Sequence, residues 1–201
     1  MKVEMANLDG ERIHDLLGSS ITPLPVVLIS TVGEDGIHNA APFSLITPVC
    51  WKPPIICASF GLRKGQKKDT TRNIEFSKDF VVNLMDETLI KPIFQAAADY
   101  PSSVDEIKEV GLTAIPADKV KSPRIAESQI SLECRLVQSL ELGEGENFRS
   151  VIFGEVVLMH VRDELWAAGR IQVSQLRAVG RLGIEWFCKT EEIFEMRPPK
   201  V

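Results

Sequence analysis

Short apolar runs separated by turn residues predict strands in the first third of the chain. Residues 24–31 form a run rich in β-branched side chains, and the turn residues 33–36 end it. The chain becomes apolar again at 37–41, which predicts a return strand and hence a hairpin. Residues 55–60 form another apolar run, and Pro53 and Pro54 stop any helix before it. We therefore predict a buried strand at 55–60.

The second half of the chain has the alternation of a half-buried strand. Between residues 130 and 136, apolar side chains at even positions alternate with polar ones, so one face is buried and the other solvated. Residues 80–84 are also strand-like. Residues 151–161 form a longer apolar run around Gly154, which predicts a strand through the core with a bend or bulge at the glycine.

Three segments have helical character. Asp69 and Thr70 are candidate N-caps of a short helix. In residues 88–98 apolar positions recur with helical spacing, and Pro92 must then lie in the first turn. Residues 103–106 form a capping-box pattern that opens a helix, which Gly111 closes.

Strands outnumber helices, and the helices do not alternate regularly with them. This pattern favours a mainly β barrel with peripheral helices over a doubly wound α/β sheet. No internal repeat or low-complexity stretch divides the chain. We predict a single domain over residues 1–201, with its core at about 20–190.

The composition is that of an ordinary globular protein and excludes several function classes. The 201 residues are 44% apolar and 25% charged, with a formal net charge of -5 and a pI near 5.3. An acidic chain is poorly suited to neutralising phosphate backbones, so we expect no nucleic-acid partner. We also expect no membrane segment, because no uncharged apolar run reaches the roughly 18 residues of a spanning helix. Residues 1–11 lack the apolar core of a signal peptide.

The four cysteines and three histidines form no metal or redox motif. Cys50, Cys57, Cys134 and Cys188 include no C-x-x-C pair, and the histidines are isolated from them. The first three lie in apolar strand sequence, which favours inert buried thiols. We expect no bound metal and a cytoplasmic location with reduced thiols.

Two segments have the character of a binding site. In residues 39–44 small side chains and Pro42 follow a predicted strand, so the backbone can approach a planar ligand; a plain strand-to-loop exit has the same residues. In residues 67–71 two lysines and two threonines surround a predicted helix N-terminus, which suits a phosphate or carboxylate. A solvated first turn would look the same. Ser59 and Gly61 end the preceding strand and either contact that anion or belong to a turn.

Arg181 stands between two glycines in the sequence Gly-Arg-Leu-Gly near the end of the chain. Its guanidinium could reach an anionic or planar group, or pair with a surface carboxylate. The sequence contains no nucleophile elbow, P-loop, dinucleotide-binding or zinc-protease motif. We therefore assign no catalytic residue.

Taken in order, these segments resemble the flavin reductase-like family, whose members bind FMN in a split β-barrel. The resemblance runs from about residue 24 to the C-terminus. Its landmarks are PVVLIST at 25–31, NAAPFS at 39–44, PP at 53–54, KDT at 68–70 with Asn73, FVVNL at 80–84, ES at 127–128, LEC at 132–134, GEVV at 154–157 and GRLG at 180–183.

The resemblance implies FMN as the cofactor and assigns four residues to the isoalloxazine and four to the ribityl phosphate. They are, in that order, Ala41, Pro42, Phe43 and Ser44, and Ser59, Gly61, Lys68 and Thr70. It also implies a homodimer with the flavin near the subunit interface. Arg181 would then contact the flavin of the other subunit or bind the reductant.

The activity that the resemblance implies is an FMN-dependent oxidoreductase, an NAD(P)H:flavin reductase that passes electrons to a second flavin, a metal complex or a protein. A flavin-binding electron carrier without a nicotinamide site is the alternative, and a split barrel holding another ligand such as haem is a third reading. The chain departs from the family pattern at Thr47, Cys50 and residues 184–187, where asparagine, serine and a third glycine with a tyrosine are usual. These departures leave the reductant and the acceptor open.

Overall fold

The chain folds around a curved antiparallel sheet of eight strands, seen in a computed structural model that describes residues 1–197 and 199. The strands are β1 (Leu24–Pro25), β2 (Val27–Val32), β3 (His38–Phe43), β4 (Ile46–Trp51), β5 (Pro54–Arg63), β6 (Gln66–Lys67), β7 (Asp79–Leu84), β8 (Ala114–Ile115), β9 (Arg124–Ile125), β10 (Ile130–Leu142), β11 (Arg149–Val161), β12 (Trp166–Ala167), β13 (Arg170–Ile171), β14 (Val179–Leu182) and β15 (Trp186–Lys189). The α-helices are α1 (Gly10–Ser20), α2 (Asp69–Ser77), α3 (Ile90–Gln95) and α4 (Glu106–Glu109), and short 3-10 helices lie at Met5–Asn7, Glu87–Leu89, Gly145–Asn147, Asp163–Leu165 and Val173–Gln175.

The main sheet curls into a barrel that is split between its two edges. Its strand order is β3-β2-β7-β10-β11-β5-β4, with β6 paired to β5. The edge strands β3 and β4 are joined in the chain by Ser44 and Leu45 alone, so the sheet must curl until its edges approach. The ring of Phe43 in β3 accordingly meets that of Phe60 in β5 edge to face, with 4.7 Å between the ring centroids. The predicted mainly β split barrel with peripheral helices is confirmed.

Both faces of the sheet are covered, which gives the protein two apolar cores. Successive residues of a strand face opposite sides, so β2 contributes to both cores and its first five residues are all buried. Each aliphatic side chain that is fully buried in this way contributes about 1.5–3 kcal/mol. The core inside the barrel includes Val27, Ile29, Phe60, Phe80 and Ile152, and the core outside it, under α3 and α4, includes Leu28, Ile93, Ile107 and Ile125.

One buried polar side chain, Asn83 of β7, ties the barrel to the loop that covers it. Its amide donates to the carbonyl of Leu28 at 3.2 Å and to the hydroxyl of Ser30 at 2.9 Å. Its oxygen accepts from the backbone N–H of Ile125 at 3.1 Å and from the hydroxyl of Ser131 at 3.0 Å. A fully satisfied amide is tolerated in the interior, because its desolvation is offset by these bonds.

The long pair β10–β11 bends at Gly154, as predicted. The register shifts between Glu133 and Cys134 and again between Leu136 and Gln138, on either side of the point where Leu136 pairs with Gly154. A Cβ on residue 154 would lie 2.5 Å from Cζ of Phe80. Glycine is therefore required where the strand passes over a core ring.

The predicted N-caps of α2 are wrong by one or two residues. The helix begins at Asp69, and its N-cap is Lys68, without a side-chain cap. The side chains that could have capped it bond elsewhere, since Asp69 pairs with Arg72 and the hydroxyl of Thr70 accepts from Asn39. The backbone of α2 therefore starts at a lysine, with its free N–H groups beside that lysine.

The two other predicted helices are present but shorter. The pattern at 88–98 becomes a 3-10 turn at Glu87–Leu89 followed by α3, and Asp86 caps the turn by accepting from the N–H of Thr88 at 2.8 Å. The predicted capping box at 103–106 is wrong. The carboxylate of Asp105 caps α4 instead, and Glu106 points into the fold. Gly111, with a φ of 74°, lies after the helix end as expected.

A three-stranded sheet, β1-β14-β15, packs beside the barrel and places Arg181 opposite Leu24. The N–H of Gly183 donates to the carbonyl of Gly18 at 3.1 Å, which attaches α1 to this sheet. Within residues 1–197 and 199, the helices lack the length and apolar character that crossing a bilayer would require.

Candidate functional site

A cavity of about 760 Å³, the central cavity, lies where β3 turns into β4. The turn contributes Pro42, Phe43 and Ser44, and the facing strand β5 contributes Ser59 and Gly61. The predicted segments 39–44 and 59–61 therefore meet in space, because the curl of the sheet brings its edge strand β3 over β5. One wall is apolar and the other has small or hydroxyl side chains.

The helix α1 covers the central cavity with one face. Ile13, Leu17 and Ile21 line the cavity at the spacing of a single helical face. Asp9 caps the helix by accepting from the N–H of Arg12 at 2.8 Å. None of the residues of α1 is buried, so this face is closed to solvent only in part.

The end of the central cavity beneath Gly61 is positively charged. The guanidinium of Arg149 lies against Gly61, in the space that a Cβ there would occupy. The ammonium of Lys68 is 5.3 Å from the centroid of the Phe43 ring. Neither cation forms an ion pair with a carboxylate in the described part of the chain. Unpaired, partly buried cations at the N-terminus of α2 favour an anionic ligand.

The surroundings of Lys68 lower its pKa. Burial lowers the pKa of its ammonium, and the nearby charges of Arg63 and Arg149 lower it further. Burial and like charges both destabilise the charged form of this lysine. A bound anion would stabilise that form. The neighbouring Lys67 differs, because its ammonium bonds to Glu75 at 2.7 Å and to Glu141 at 2.9 Å.

Arg181 also lines the central cavity. One of its terminal N–H groups donates to the carbonyl of Ile184 at 2.8 Å. Its Nε is buried and has no hydrogen-bond partner among the described residues. Most of the donors of this guanidinium therefore have no partner among the described residues.

Two of the predicted site residues, Ala41 and Thr70, lie in an adjoining side cavity of about 280 Å³. The side cavity shares Pro42 and Lys68 with the central cavity. Thr70 is 1% exposed, and its hydroxyl accepts from the amide of Asn39 at 3.1 Å. The structure thus brings seven of the nine predicted residues to the central cavity, whereas Ala41 and Thr70 line the adjoining side cavity.

A buried carboxyl group, Glu106 of α4, lines the side cavity. One of its oxygens accepts from the backbone N–H of Ala40 at 2.9 Å. Burial raises the pKa of Glu106 to about 7; the Ala40 N–H opposes the rise, and the charge of Asp69 adds to it. Its protonation therefore changes near neutral pH.

A third cavity, of about 360 Å³ and here called the apolar cavity, shares Pro42, Ser44 and Arg181 with the central cavity. Its remaining walls are aliphatic and aromatic, and include Phe94 of α3 and Phe187 of β15. These two rings meet edge to face, with 5.1 Å between their centroids. The cavity is suited to a small apolar or aromatic group.

A separate cluster joins Asp118 of the loop between β8 and β9 to Glu133 of β10 and His160 of β11, and their ligand atoms lie within 4.8 Å of one another. The Glu133 oxygens already accept from the N–H groups of Asp118 at 2.9 Å and Lys119 at 2.6 Å, and Nε2 of His160 lies 2.6 Å from one of them. Burial acts to raise the pKa of Glu133, but these bonds outweigh it and the pKa is lowered. The cluster therefore has a structural explanation, which is to hold the loop at 118–119 onto the barrel.

Arg149 and Glu106 line the cavities of the site, but no motif in the local sequence predicts that they do. Arg149 reaches it because β11 pairs with β5 in a register that sets Arg149 opposite Gly61. Glu106 reaches it because α4 packs on β3. Both placements depend on contacts between segments that are distant in the chain.

Comparison with known proteins finds similar chains of the same fold. The model of the flavin reductase like domain family matches residues 19–173. A crystal structure of nitrilotriacetate monooxygenase component B from Bacillus cereus is 32% identical, with a TM-score of 0.93 over 98% of both chains. The 2-nitrobenzoate 2-nitroreductase NbaA of Pseudomonas fluorescens is 28% identical, with a TM-score of 0.90 over 99% of this chain and 96% of that one.

A curated relative adds a named activity. The reductase component of 4-nitrophenol 4-monooxygenase/4-nitrocatechol 2-monooxygenase from Rhodococcus opacus is 25% identical over 136 residues, which cover 68% of this chain and 66% of the relative. Most of the central cavity that α1 does not supply lies within the stretch that the family model matches; the exceptions are Leu8, Arg181 and Gly183.

Proposed function

Because the chain belongs to the flavin reductase-like family, we propose that it is an FMN-dependent oxidoreductase that accepts hydride from NADH or NADPH. The electrons then go to a second flavin, a metal complex or a protein. The observation that carries the proposal is the central cavity, which combines apolar walls with unpaired cations at one end. A ligand with a planar ring and a phosphate matches both halves of that cavity.

The cation end fits the ribityl phosphate. Lys68 and Arg149 would supply charge-assisted hydrogen bonds, and the hydroxyl of Ser59 would supply a neutral one. Gly61 leaves the space in which the Arg149 guanidinium lies, so a side chain at 61 would displace the arginine from the site. The fit rests on the Lys68 ammonium and the Arg149 guanidinium. Because neither has a carboxylate partner within the described chain, both are available to an added anion.

The turn between β3 and β4 fits the ring. Pro42, Phe43 and Ser44 follow each other along one wall, and Pro42 and Ser44 extend to the edge of the apolar cavity. Bound FMN would supply hydride acceptance and electron transfer, and the chain's own residues would bind and orient it. Such a transfer needs no side-chain acid or base, so we propose no catalytic residue.

The relatives support a role in delivering electrons to another reactant. One is a component of a monooxygenase, one is the reductase component of another, and a third is a nitroreductase. We propose a homodimer, with Arg181 near the second subunit's flavin or the reductant. We also propose a cytoplasmic location, since all four cysteines are free thiols.

The visible absorption spectrum of the purified protein, taken before and after anaerobic addition of NADH or NADPH, tests this proposal. We expect flavin bands near about 375 and 450 nm that bleach on addition of one of the nucleotides. Titrations with FMN, FAD and riboflavin complete the test. FMN should bind more tightly than riboflavin, which lacks the phosphate that Lys68 and Arg149 would hold.

The outcomes separate the alternatives. Bands that persist after both nucleotides are added indicate a flavin carrier reduced by another protein. A protein that stays colourless after incubation with FMN contradicts the proposal. Equal affinity for FMN and riboflavin would remove the Lys68–Arg149 end from the site while leaving the ring site intact.

A further inference from the structure

The apolar cavity is a second binding space beside the central cavity, and its chemistry is different. Its volume of about 360 Å³ is near the lower end of the range for ligand sites, about 300–1,000 Å³, so it suits a ligand with one ring. Val26, Ile93 and Val179 of its lining are buried, while Phe94 and Phe187 form an aromatic wall. Such walls favour a flat apolar ring.

The polar side chains of this lining, among the described residues, are few. They are the hydroxyl of Ser44 and the guanidinium of Arg181, and both are shared with the central cavity. Arg181 donates to the carbonyl of Ile184 and leaves its Nε without a partner. The lining is therefore mostly apolar, with a single cationic side chain that has unused donors.

We infer that the apolar cavity binds a small aromatic monocarboxylate, with its ring between Ile93, Phe94 and Val179 and its carboxylate toward Arg181. Arginine presents a planar set of donors that a carboxylate can accept in pairs. A carboxamide would bring N–H donors of its own to a place that already has an excess of donors. The ligand's position beside a flavin rests on the proposed function, whereas its binding rests on the cavity alone.

Calorimetric titration of the purified protein with benzoate, benzamide and acetate tests this inference, with and without added FMN. Benzoate should bind about tenfold or more tightly than benzamide, because only benzoate pairs with the guanidinium. It should also bind more tightly than acetate, because only benzoate has a ring to bury. If FMN fails to bind but benzoate binds with this preference, the proposed function is wrong and the present inference stands.

Two substitutions locate the site. Arg181→Gln should abolish the preference for benzoate over benzamide, and Arg181→Lys should retain part of it. Ala97→Phe introduces a ring into the apolar cavity from an exposed position, so it should weaken benzoate and benzamide alike by about tenfold or more without unfolding the protein. Gln95→Phe, at an exposed residue of α3 outside the lining, is the matched control and should leave both affinities unchanged.

Three results would overturn the inference. Benzamide binding as tightly as benzoate would identify a site for neutral amides. Acetate binding as tightly as benzoate would mean that charge alone is recognised. Benzoate binding that survives Ala97→Phe would place the ligand elsewhere. Lys68 and Arg149 of the central cavity would then be the first residues to substitute.

Discussion

Lys67 and Lys68 are neighbours in the chain, but only Lys68 lacks a carboxylate partner in the described structure. Lys67 is paired with Glu75 and Glu141, and these bonds raise its pKa. Lys68 is half-buried beside Arg63 and Arg149. The same residue type thus has a structural role at one position and, under the proposed function, a binding role at the next.

Lys68→Ala should weaken FMN binding by about 1–3 kcal/mol, the usual size of one charge-assisted contact. The free energy of unfolding without flavin should change by less than about 0.5 kcal/mol, because the lysine has only repulsive charged neighbours to lose. Fluorescence titration and urea unfolding measure the two quantities. Lys67→Ala is the control and should leave the affinity for FMN close to that of the unmodified protein. An unchanged dissociation constant in Lys68→Ala would exclude Lys68 from the site.

Glu106 makes stability depend on pH near neutrality. Its pKa is 4.5 in an unperturbed side chain and about 7 in the fold, so between these values the folded state holds a proton that the unfolded chain has lost. The free energy of unfolding therefore falls as the pH rises through this window.

Glu106→Gln should flatten this dependence, because the amide keeps an acceptor for the Ala40 N–H and carries no charge. At about pH 8 the variant should be more stable than the unmodified protein by about 1–2 kcal/mol. Urea unfolding at several pH values checks this. Glu109→Gln, at an exposed position of the same helix, should follow the unmodified protein. Parallel profiles for the Glu106 variant and the unmodified protein would show that the carboxyl titrates normally.

At the scale of elements, the strand β11 depends on a glycine where it crosses the core. Gly154→Ala should destabilise the protein by about 1–3 kcal/mol, because the new methyl overlaps the Phe80 ring and that ring is fully buried. Thermal or urea unfolding measures the change. Gly18→Ala is the control: it lies inside α1, where a Cβ comes no closer than 3.8 Å to Gly183, and it should stabilise slightly. A stable Gly154→Ala variant would mean that the Phe80 ring can shift.

The helix α1 covers the central cavity although none of its residues is buried. An element with so little buried surface opens easily, so its amide hydrogens should exchange much faster than those of β2 and β7. Added FMN should slow exchange in α1, since a ligand in the cavity would contact its inner face. Hydrogen exchange followed by mass spectrometry measures both effects. Exchange in α1 that FMN leaves unchanged would show that the helix is not part of the flavin site.

At the scale of the whole molecule, an exposed apolar strand edge suggests where two chains meet. The strand β4 lies at one end of the main sheet, with Val49 50% and Trp51 82% exposed. Apolar edge strands are covered in most proteins, because an open edge invites pairing with another chain. The proposed homodimer would provide that cover.

Light scattering coupled to gel filtration should therefore give twice the chain mass of 22.3 kDa. Trp51→Glu should shift the protein toward the single-chain mass, because it places a charge in the interface. Phe76→Glu, at an exposed aromatic residue of α2, is the control and should leave the mass unchanged. A single-chain mass for the unmodified protein at all concentrations would contradict the dimer, and a dimeric Trp51→Glu would place the interface elsewhere.

The sequence by itself determined six strands of the main sheet, the fold class and part of the central cavity. Alternation and apolar runs report which face of a segment is buried, and that property is local. Residues 39–44 and 67–71 were also identified locally as candidate binding segments, because a turn and a helix start have their own local chemistry, and the family resemblance selected Pro42, Phe43, Ser44 and Lys68 within them. The tertiary structure decided which distant residues join them. The position of Arg149 depends on the register of β11 against β5, and the position of Glu106 depends on the packing of α4. Thr70 lies in the side cavity, where its hydroxyl accepts from Asn39. Such contacts depend on how the sheet curls and pairs, and local patterns do not encode them.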